Sequence, residues 1–371
     1  MNPSETQHSD HGKSEWSAAA SLERRIVVVG AGAVGGYVGG KLALAGHDVT
    51  LVDAWKAHVE AINRDGLQLS EPGAKWSVSV AALHADELAD LPLAAADVVF
   101  ICVKLYDTEW ATRLIAPHLK PDGCVVTLQN SLVEGVVAAH VGWNRTLGCI
   151  GSGMYVALAG PGRVVRNKLP AGNGACVFYI GEAQGRVSPR VEQLARMLGR
   201  VDATCVTANL WGLRWAKLVA NTMTSGLSAV CDMGLKQLFA DPRCRRLMIQ
   251  LAAEAIRVGA ALKYETEEIF GLAPDVWLQA DAGSQAALDA VTAVFQHQQN
   301  LVTDEAASGS LQDLRKGKPT EVDFMNGFVA AKGMEQGVPT PLHTAVCGLL
   351  REIEQGKAHR GARHLRMLEA C

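Results

Sequence analysis

Short apolar runs rich in β-branched residues recur through the first half of the chain and predict buried strands. They lie at residues 26–29, 48–52, 97–103 and 124–128, and further strands are expected at 148–156, 175–180 and 203–206. Apolar residues at helical spacing lie between the first four runs and predict the helices that connect them. Alternation of strand and helix is typical of an α/β unit with a parallel sheet, which we expect over residues 23–207.

The pattern changes from residue 209 onward, where helical periodicity replaces the strand-like runs. A helix at 209–228 has an apolar side with Trp211 and Trp215, and its polar side carries Arg214, Lys217, Asn221, Thr224 and Ser225. Periodicity alone favours a merely solvated polar side. We expect an all-helical domain over residues 208–371, with a looser insertion at about 263–300 and a frayed basic tail after residue 356.

Composition narrows the function classes. The chain has 371 residues, enough for two domains, and a formal net charge of −3 without a basic stretch interleaved with aromatics. We therefore expect no nucleic-acid partner. No apolar run approaches the roughly 18 residues of a membrane span, so we expect no membrane partner and a cytoplasmic protein. Residues 1–22 are polar and are interpreted as a disordered extension.

Cysteine and histidine spacing predicts neither a disulfide nor a metal site. The nine cysteines include no C-x-x-C pair, so a disulfide framework is improbable. Cys102, Cys124 and Cys176 lie in strand-like runs and are expected to be small core residues. The histidines show no metal-ligand spacing.

A glycine-rich turn follows the first predicted strand and is the strongest chemical signal. It comprises Gly30, Ala31, Gly32, Ala33, Val34 and Gly35, and a helix follows it. The second strand ends at Asp53, close to the usual offset of the carboxylate that binds a ribose. Strand, glycine turn, helix and acid together predict a dinucleotide-binding βαβ unit.

Two polar residues follow the next strands of the predicted sheet, Lys104 after one and Asn130 after the other. Each alone would be interpreted as a solvated loop residue. Since ligands of parallel sheets bind at the carboxyl ends of the strands, the set with Asp53 favours a cofactor cleft.

Spaced motifs in the right order resemble the ketopantoate reductase family over nearly the whole chain. The motifs are G-A-G-A-V-G at 30–35, V-K at 103–104, Q-N at 129–130, P-G at 161–162, W-A-K-L-V-A-N at 215–221 and L-Q-D-L with K-P-T-E-V-D-F-M-N-G within 311–327. The resemblance implies a doubly wound Rossmann domain followed by a helical domain like the C-terminal domain of 6-phosphogluconate dehydrogenase. It also implies hydride transfer from a nicotinamide to a 2-oxo acid, giving a 2-hydroxy acid.

The resemblance also assigns roles to individual residues. Lys217 would be the general acid and Asn221 would hold the substrate beside it. Asn130 would lie at the nicotinamide and substrate, Lys104 near the cofactor, and Glu321 at the cofactor ribose side of the cleft. Thr320 and Asp323 resemble a capping pair, which would place Glu321 in the first turn of a helix.

Several positions depart from the family pattern around the substrate. Ser131 and Ser225 replace the usual glycine and asparagine, and Gly309 replaces a substrate-binding serine, with Ser308 and Ser310 beside it. We therefore expect Ser225, Ser308 and Ser310 to contact the substrate, and these departures favour a different or larger 2-oxo acid.

Asp53 favours NAD over NADP, because a carboxylate accepts from a free 2′-hydroxyl and repels a 2′-phosphate, which Lys56 would offset only in part. Two alternatives stay open: an NAD-dependent dehydrogenase that oxidises another hydroxy acid in sugar-acid or aromatic catabolism, and a dinucleotide sensor without turnover. A homodimer through the helical domain is also expected.

Overall fold

The structure is a computed structural model that describes residues 24–167 and 176–371, so the extension expected at 1–22 lies outside the described residues. Twelve strands are seen in these ranges: β1 Arg25–Val29, β2 Asp48–Asp53, β3 Leu67–Glu71, β4 Ala74–Val78, β5 Ala81–His84, β6 Ala96–Ile101, β7 Leu119–Thr127, β8 Thr146–Gly151, β9 Val156–Gly160, β10 Arg163–Arg166, β11 Phe178–Glu182 and β12 Thr204–Val206.

Eight of these strands form the main sheet, in the order β12-β11-β8-β7-β6-β1-β2-β5. Every neighbouring pair is parallel except β8 with β11. All six residues of β6 are buried, as expected for a central parallel strand covered on both faces. The predicted α/β unit with a mainly parallel sheet is confirmed.

Five helices accompany the sheet: α1 Ala33–Leu44, α2 Lys56–Asp65, α3 Thr108–Ile115, α4 Glu134–Val141 and α5 Pro189–Leu198. A second sheet, with strand order β4-β3-β10-β9, packs on the outer side of α1. A Cβ at Gly40 would lie 2.8 Å from the side chains of Leu67 and Leu69. Glycine in α1 therefore allows this second sheet, which the sequence analysis did not predict, to pack closely.

The remaining helices are α6 Leu210–Cys231, α7 Leu235–Ala240, α8 Pro242–Ala261, α9 Pro274–Asp281, α10 Gln285–Leu301, α11 Gly309–Arg315, α12 Asn326–Gln336, α13 Pro341–Glu354 and α14 Leu365–Leu368. The segment expected to be looser, 263–300, holds α9 and α10. Trp277, Val291 and Phe295 of these helices are fully buried in the core that α6 and α8 also form. The expectation of a loose region is wrong, because apolar residues of α9 and α10 complete this core.

The basic tail is packed and not frayed. The Gly361 amide donates to the Val230 carbonyl at the end of α6, and Leu365 and Leu368 of α14 are buried. Arg243 donates twice to the Glu369 carboxylate, at 2.6 and 2.7 Å. The expectation of a frayed tail is therefore wrong: burial of Leu365 and Leu368 holds the tail in place despite its polar composition.

One disulfide corrects the cysteine prediction. Cys176, just before β11, is bonded to Cys205 in β12, with a Cα–Cα separation of 5.8 Å. The parallel pairing of β11 with β12 brings the two residues together across 29 positions, a proximity that spacing in sequence does not reveal. Cys124 is buried and free, as expected for a core residue.

Across residues 24–167 and 176–371, no helix combines the length and apolarity needed to cross a bilayer.

Candidate active site

The glycine turn is shaped by close backbone contacts at the carboxyl end of β1. Gly30 has φ +95°, and a Cβ there would lie 2.7 Å from the Val103 amide nitrogen. A Cβ at Gly35 would lie 2.0 Å from the Gly30 carbonyl oxygen. At Gly32, the N-cap of α1, a Cβ would meet nothing within 4 Å, and no side chain caps the helix. The turn thus leaves room and backbone N–H groups for a pyrophosphate at the start of α1.

The side chain of His58 packs against the glycine turn and binds its backbone. It is fully buried, its Nε2 lies 2.9 Å from the Ala31 carbonyl oxygen, and its Nδ1 accepts from the Gly162 amide at 2.8 Å. This pattern requires the proton on Nε2. The P-G motif at 161–162 is therefore connected to the glycine turn through His58, a contact that histidine spacing could not indicate.

Asp53 ends β2 at the same edge of the sheet. Its Oδ1 accepts from the Trp55 amide at 2.8 Å, and the Trp55 indole stacks on His58 with ring centroids 5.5 Å apart. Lys56, the first residue of α2, is exposed. The carboxylate is thus held by its own turn, with its second oxygen left for a ligand.

Lys104 connects the sheet to the helical part of the molecule. Its Nζ lies 2.6 Å from Asp313 and 3.4 Å from Glu321, and the second oxygen of Glu321 accepts from the Leu105 amide at 2.8 Å. Burial alone would lower the pKa of Lys104, but the two carboxylates outweigh it and raise the pKa above the ordinary lysine value. Lys104 and Glu321, predicted from distant motifs, therefore lie together.

The expected capping pair near Glu321 is not formed. Thr320 Oγ donates to Glu354 at 2.6 Å, and Asp323 accepts from Arg351. Glu321 precedes a single 3₁₀ turn at Val322–Phe324, and α12 begins only at Asn326. The prediction failed because α13 supplies partners for both residues of the pair, and Glu321 is left to reach Lys104.

Asn130 follows β7, and the residues on both sides of it, Gln129 and Ser131, are held by hydrogen bonds. The Gln129 amide donates to the Val103 carbonyl at 2.9 Å and to Thr108 Oγ at 2.8 Å. Ser131 has φ +61° and donates through Oγ to the Phe324 carbonyl at 2.5 Å. Both sides of Asn130 are therefore fixed, one by the sheet and the other by the helical part.

Lys217 and Asn221 lie one turn apart on α6. Lys217 is half-buried and donates through Nζ to the Gly151 carbonyl at the end of β8. Burial, and then the nearby charge of Arg214, lower the pKa of Lys217 to about 8. The Asn221 Nδ2 is buried without a hydrogen-bond partner in the described part of the chain. A buried amide without a partner is costly, so this nitrogen is a candidate contact for a ligand.

Arg214 lies on the predicted polar side of α6, but it is not solvated. Its side chain is 1% exposed and lies 2.6 Å from Glu134 of α4, itself fully buried. It also donates to Thr127 Oγ at 2.6 Å and to the Gln129 carbonyl. The sequence analysis missed this pair, because nothing local indicates that Glu134 lies opposite α6.

The predicted substrate-binding serines meet where α11 contacts α6. Ser308 is the N-cap of α11: its Oγ accepts from the Leu311 amide at 3.2 Å and lies 3.4 Å from the Ser225 carbonyl. Ser310 is buried, while Ser225 is half-buried. A Cβ at Gly309 would meet nothing within 4 Å. Ser308 is therefore occupied by structural bonds, and open space adjoins Gly309.

In residues 24–167 and 176–371, no group of three or more His, Cys, Asp or Glu side chains could hold a metal ion.

Two family models match most of the chain. The model described as Ketopantoate reductase PanE/ApbA matches residues 26–178, and the C-terminal model of the same family matches residues 209–354. The 2-dehydropantoate 2-reductase of Archaeoglobus fulgidus is 31% identical, over 90% of this chain and 99% of that protein. Its counterpart from Mesorhizobium japonicum is 30% identical, over 89% of this chain and 97% of that protein.

Solved structures show the same fold. A ketopantoate reductase from Ralstonia eutropha is similar with a TM-score of 0.74 and 26% identity, over 90% of this chain and 100% of that chain. A D-mandelate dehydrogenase bound to NADH and anilino(oxo)acetate has the same TM-score of 0.74 at 21% identity, over 90% of this chain and 99% of that chain. The chain thus belongs to the ketopantoate reductase family and is a dinucleotide-dependent oxidoreductase that acts on a CH–OH group.

Proposed function

We propose that the protein reduces a 2-oxo acid to the 2-hydroxy acid, with Lys217 as the proton donor. The observation that carries the proposal is a half-buried lysine whose pKa is lowered to about 8, one turn from the unpartnered Asn221 amide. The bound dinucleotide would supply a hydride to the carbonyl carbon, and negative charge would then develop on the carbonyl oxygen. An ammonium within reach can neutralise that charge by giving up its proton.

The other roles follow from the same cleft. Asn221 would donate its free amide to the substrate, and Asn130, fixed on both sides, would orient the substrate against the nicotinamide. Glu321, which accepts from Leu105, would accept from a ribose hydroxyl. Ser225 is half-buried and available to the substrate, and Ser310 would take part through its backbone. Ser308 is assigned only a supporting role, since its hydroxyl caps α11.

NAD is proposed as the preferred cofactor. Asp53 uses one carboxylate oxygen for the Trp55 amide, which leaves the other to accept from a 2′-hydroxyl. A 2′-phosphate at this place would meet a like charge. Lys56 is exposed and would reduce that repulsion only partly.

The substrate is proposed to be ketopantoate or another, larger 2-oxo acid. The curated relatives are named for 2-dehydropantoate. The small Ser225 side chain, in place of the usual asparagine, favours an acid with a larger substituent. The same observation supports the second candidate, an NAD-linked dehydrogenase that oxidises a bulky 2-hydroxy acid through the reverse reaction, with neutral Lys217 accepting the proton.

The domain organisation is proposed to follow the two parts of the fold, with residues 23–207 binding the cofactor and residues 208–371 supplying Lys217 and Asn221. A homodimer through the helical part is proposed, in line with a structural relative from Staphylococcus aureus described as dimeric. A cytoplasmic location is proposed because seven of the nine cysteines are free thiols.

The test is a product-resolved assay of the purified protein. NADH or NADPH would be supplied with ketopantoate, phenylglyoxylate and smaller 2-oxo acids, and the corresponding 2-hydroxy acids would be tried with NAD or NADP. We expect a 2-hydroxy acid product and a higher kcat/KM with NADH. NAD-linked oxidation of another 2-hydroxy acid, with no reduction of ketopantoate, would support the second candidate. Binding of dinucleotide without turnover on either panel would contradict both.

A further inference from the structure

A buried ion pair joins the two parts of the molecule immediately beside Lys217. Arg214 of α6 and Glu134 of α4 lie 2.6 Å apart, and neither side chain is more than 1% exposed. The guanidinium also donates to Thr127 Oγ at 2.6 Å, to the Thr127 carbonyl at 3.1 Å and to the Gln129 carbonyl. One side chain thus holds the end of β7 and the start of α4 against α6.

For stability alone, this pair is a costly arrangement. Two charges removed from water lose their hydration, and an apolar pair of similar volume often serves equally well. Arg214 Nε and Glu134 Oε2 are buried and have no hydrogen-bond partner in the described part of the chain, so the lost hydration is not fully replaced. A charge kept at such a cost is best explained by a use in the site.

The position of Arg214 provides such a use. It lies three residues before Lys217, hence one turn away on the same side of α6, and it binds the carbonyl of Gln129, the residue before Asn130. Within the described residues, the charged and titratable groups that influence the pKa of Lys217 are Arg214 on its own helix and Cys149 on β8. Burial raises the pKa of Cys149 to about 12, so Cys149 is neutral and Arg214 is the charge that acts on Lys217.

We propose that Arg214 is a positioning residue for the reaction: paired with Glu134, it fixes Asn130 relative to Lys217, and its charge favours release of the Lys217 proton. The inference rests on the proposed role of Lys217 as proton donor. A donor functions best when its pKa lies near the working pH, and Arg214 adds to burial in lowering the pKa of Lys217 to about 8.

The test is the pH dependence of kcat/KM in the direction of reduction. Activity then requires protonated Lys217 and falls on the alkaline side as Lys217 loses its proton. Arg214→Met removes a positive charge, and the alkaline limb should move to higher pH by about half a unit or more. Glu134→Gln leaves Arg214 uncompensated, and the limb should move to lower pH. Arg214→Lys keeps the charge with a shorter reach, so the limb should stay in place while kcat falls.

Opposite shifts in the two variants separate this role from a structural one. A purely structural pair would lower activity in both variants and leave the limb where it is, and that result, or a shift of both in one direction, overturns the inference. Arg214→Lys and Glu134→Gln preserve the test if Arg214→Met does not fold.

The matched control is Arg166→Met. Arg166 is equally buried and lies 2.5 Å from Asp202, away from Lys217, so this variant should lose stability without moving the limb. Lys217→Ala distinguishes failure of the proposed function from failure of the proposed role of Arg214. Unchanged activity in Lys217→Ala would contradict the proposed function itself. Loss of activity there, together with unmoved limbs in the Arg214 and Glu134 variants, would contradict only the role of Arg214.

Discussion

Two residues proposed to act in the reaction are held in environments that oppose folding. Lys217 is held where its ammonium form is disfavoured by burial and by Arg214, and Asn221 has a buried amide without a partner in the described part of the chain. Both features oppose folding and both are useful to a reaction that needs a ready proton donor and a free amide. Functional residues that break local rules in this way are expected at an active site.

The cost of Lys217 can be measured as a pH-dependent stability difference. The pKa falls from 10.5 in the unfolded chain to about 8 in the folded protein, so the protonated form costs about 3 kcal/mol of folding free energy. At pH 7 the side chain is charged in both states, and Lys217→Met should be more stable than the natural protein by up to about that amount. The gain should decline as pH rises from 8 toward 10.5, where the unfolded chain also loses the proton.

Chemical denaturation of Lys217→Met and the natural protein between pH 7 and pH 10 would show this convergence. Lys332→Met is the control, since Lys332 pairs with Glu335 on the surface. A stability difference for Lys217→Met that does not change with pH would contradict the assignment of the pKa.

Asp53 should control the cofactor preference. Removing an acceptor that bonds a ribose hydroxyl through a charged group costs about 1.5–3 kcal/mol, so Asp53→Ala should lose roughly 10-fold or more in kcat/KM with NADH and little with NADPH. Asp48→Ala is the matched control, at the opposite end of β2, where the carboxylate binds Arg25. Equal losses with both cofactors would contradict the proposed preference for NAD.

Secondary-structure elements were predictable where a local pattern fixes them. The pattern of adjacent residues predicts the strand, glycine turn and helix at β1 and α1. It also predicts that Asp53, Lys104 and Asn130 lie where strands of the sheet end. The second sheet was missed because β9 and β10 are short strands and because β10 joins the sheet by pairing with β3, far along the chain. The Arg214–Glu134 pair and the Cys176–Cys205 bond were missed for the same reason, since each joins residues that only the tertiary fold brings together.

The helices at 274–301 should prove essential to the stability of the helical part. Trp277 is fully buried against Phe295, with ring centroids 5.7 Å apart. Trp277→Ala should therefore cost about 3–5 kcal/mol of unfolding free energy. Trp143→Ala, at a tryptophan that is 47% exposed, should cost much less. Equal shifts of the urea midpoint in the two variants would show that α9 does not belong to the core.

At the scale of the whole molecule, side-chain contacts join the part that carries the main sheet to the helical part. Lys104 reaches Asp313 and Glu321, Arg214 reaches Glu134, and Ser131 reaches Phe324. The glycine turn belongs to the part with the main sheet and Lys217 to the helical part. Because the cofactor and the substrate are proposed to bind between them, a bound ligand should stabilise both parts together.

Dinucleotide binding gives a whole-molecule prediction with a clean control. A ligand at 100 times its Kd stabilises a protein by about 2.7 kcal/mol, so NADH should raise the melting temperature. A Cβ at Gly32 meets nothing within 4 Å, so Gly32→Glu should fold normally, and its carboxylate should exclude the pyrophosphate from the start of α1. The variant should melt as the free protein does and gain nothing from NADH.

Gly348→Glu adds the same charge at another open glycine and should keep the full stabilisation by NADH. Stabilisation of Gly32→Glu by NADH to the same extent would place the dinucleotide elsewhere.

The most direct test of the account is the rate of carbonyl reduction in Lys217→Ala. With the best 2-oxo acid and saturating NADH at pH 7, loss of the proton donor should lower kcat by about 10²–10⁴-fold, while NADH still raises the melting temperature as in the natural protein. A kcat within about threefold of the natural protein would contradict the claim that Lys217 supplies the proton.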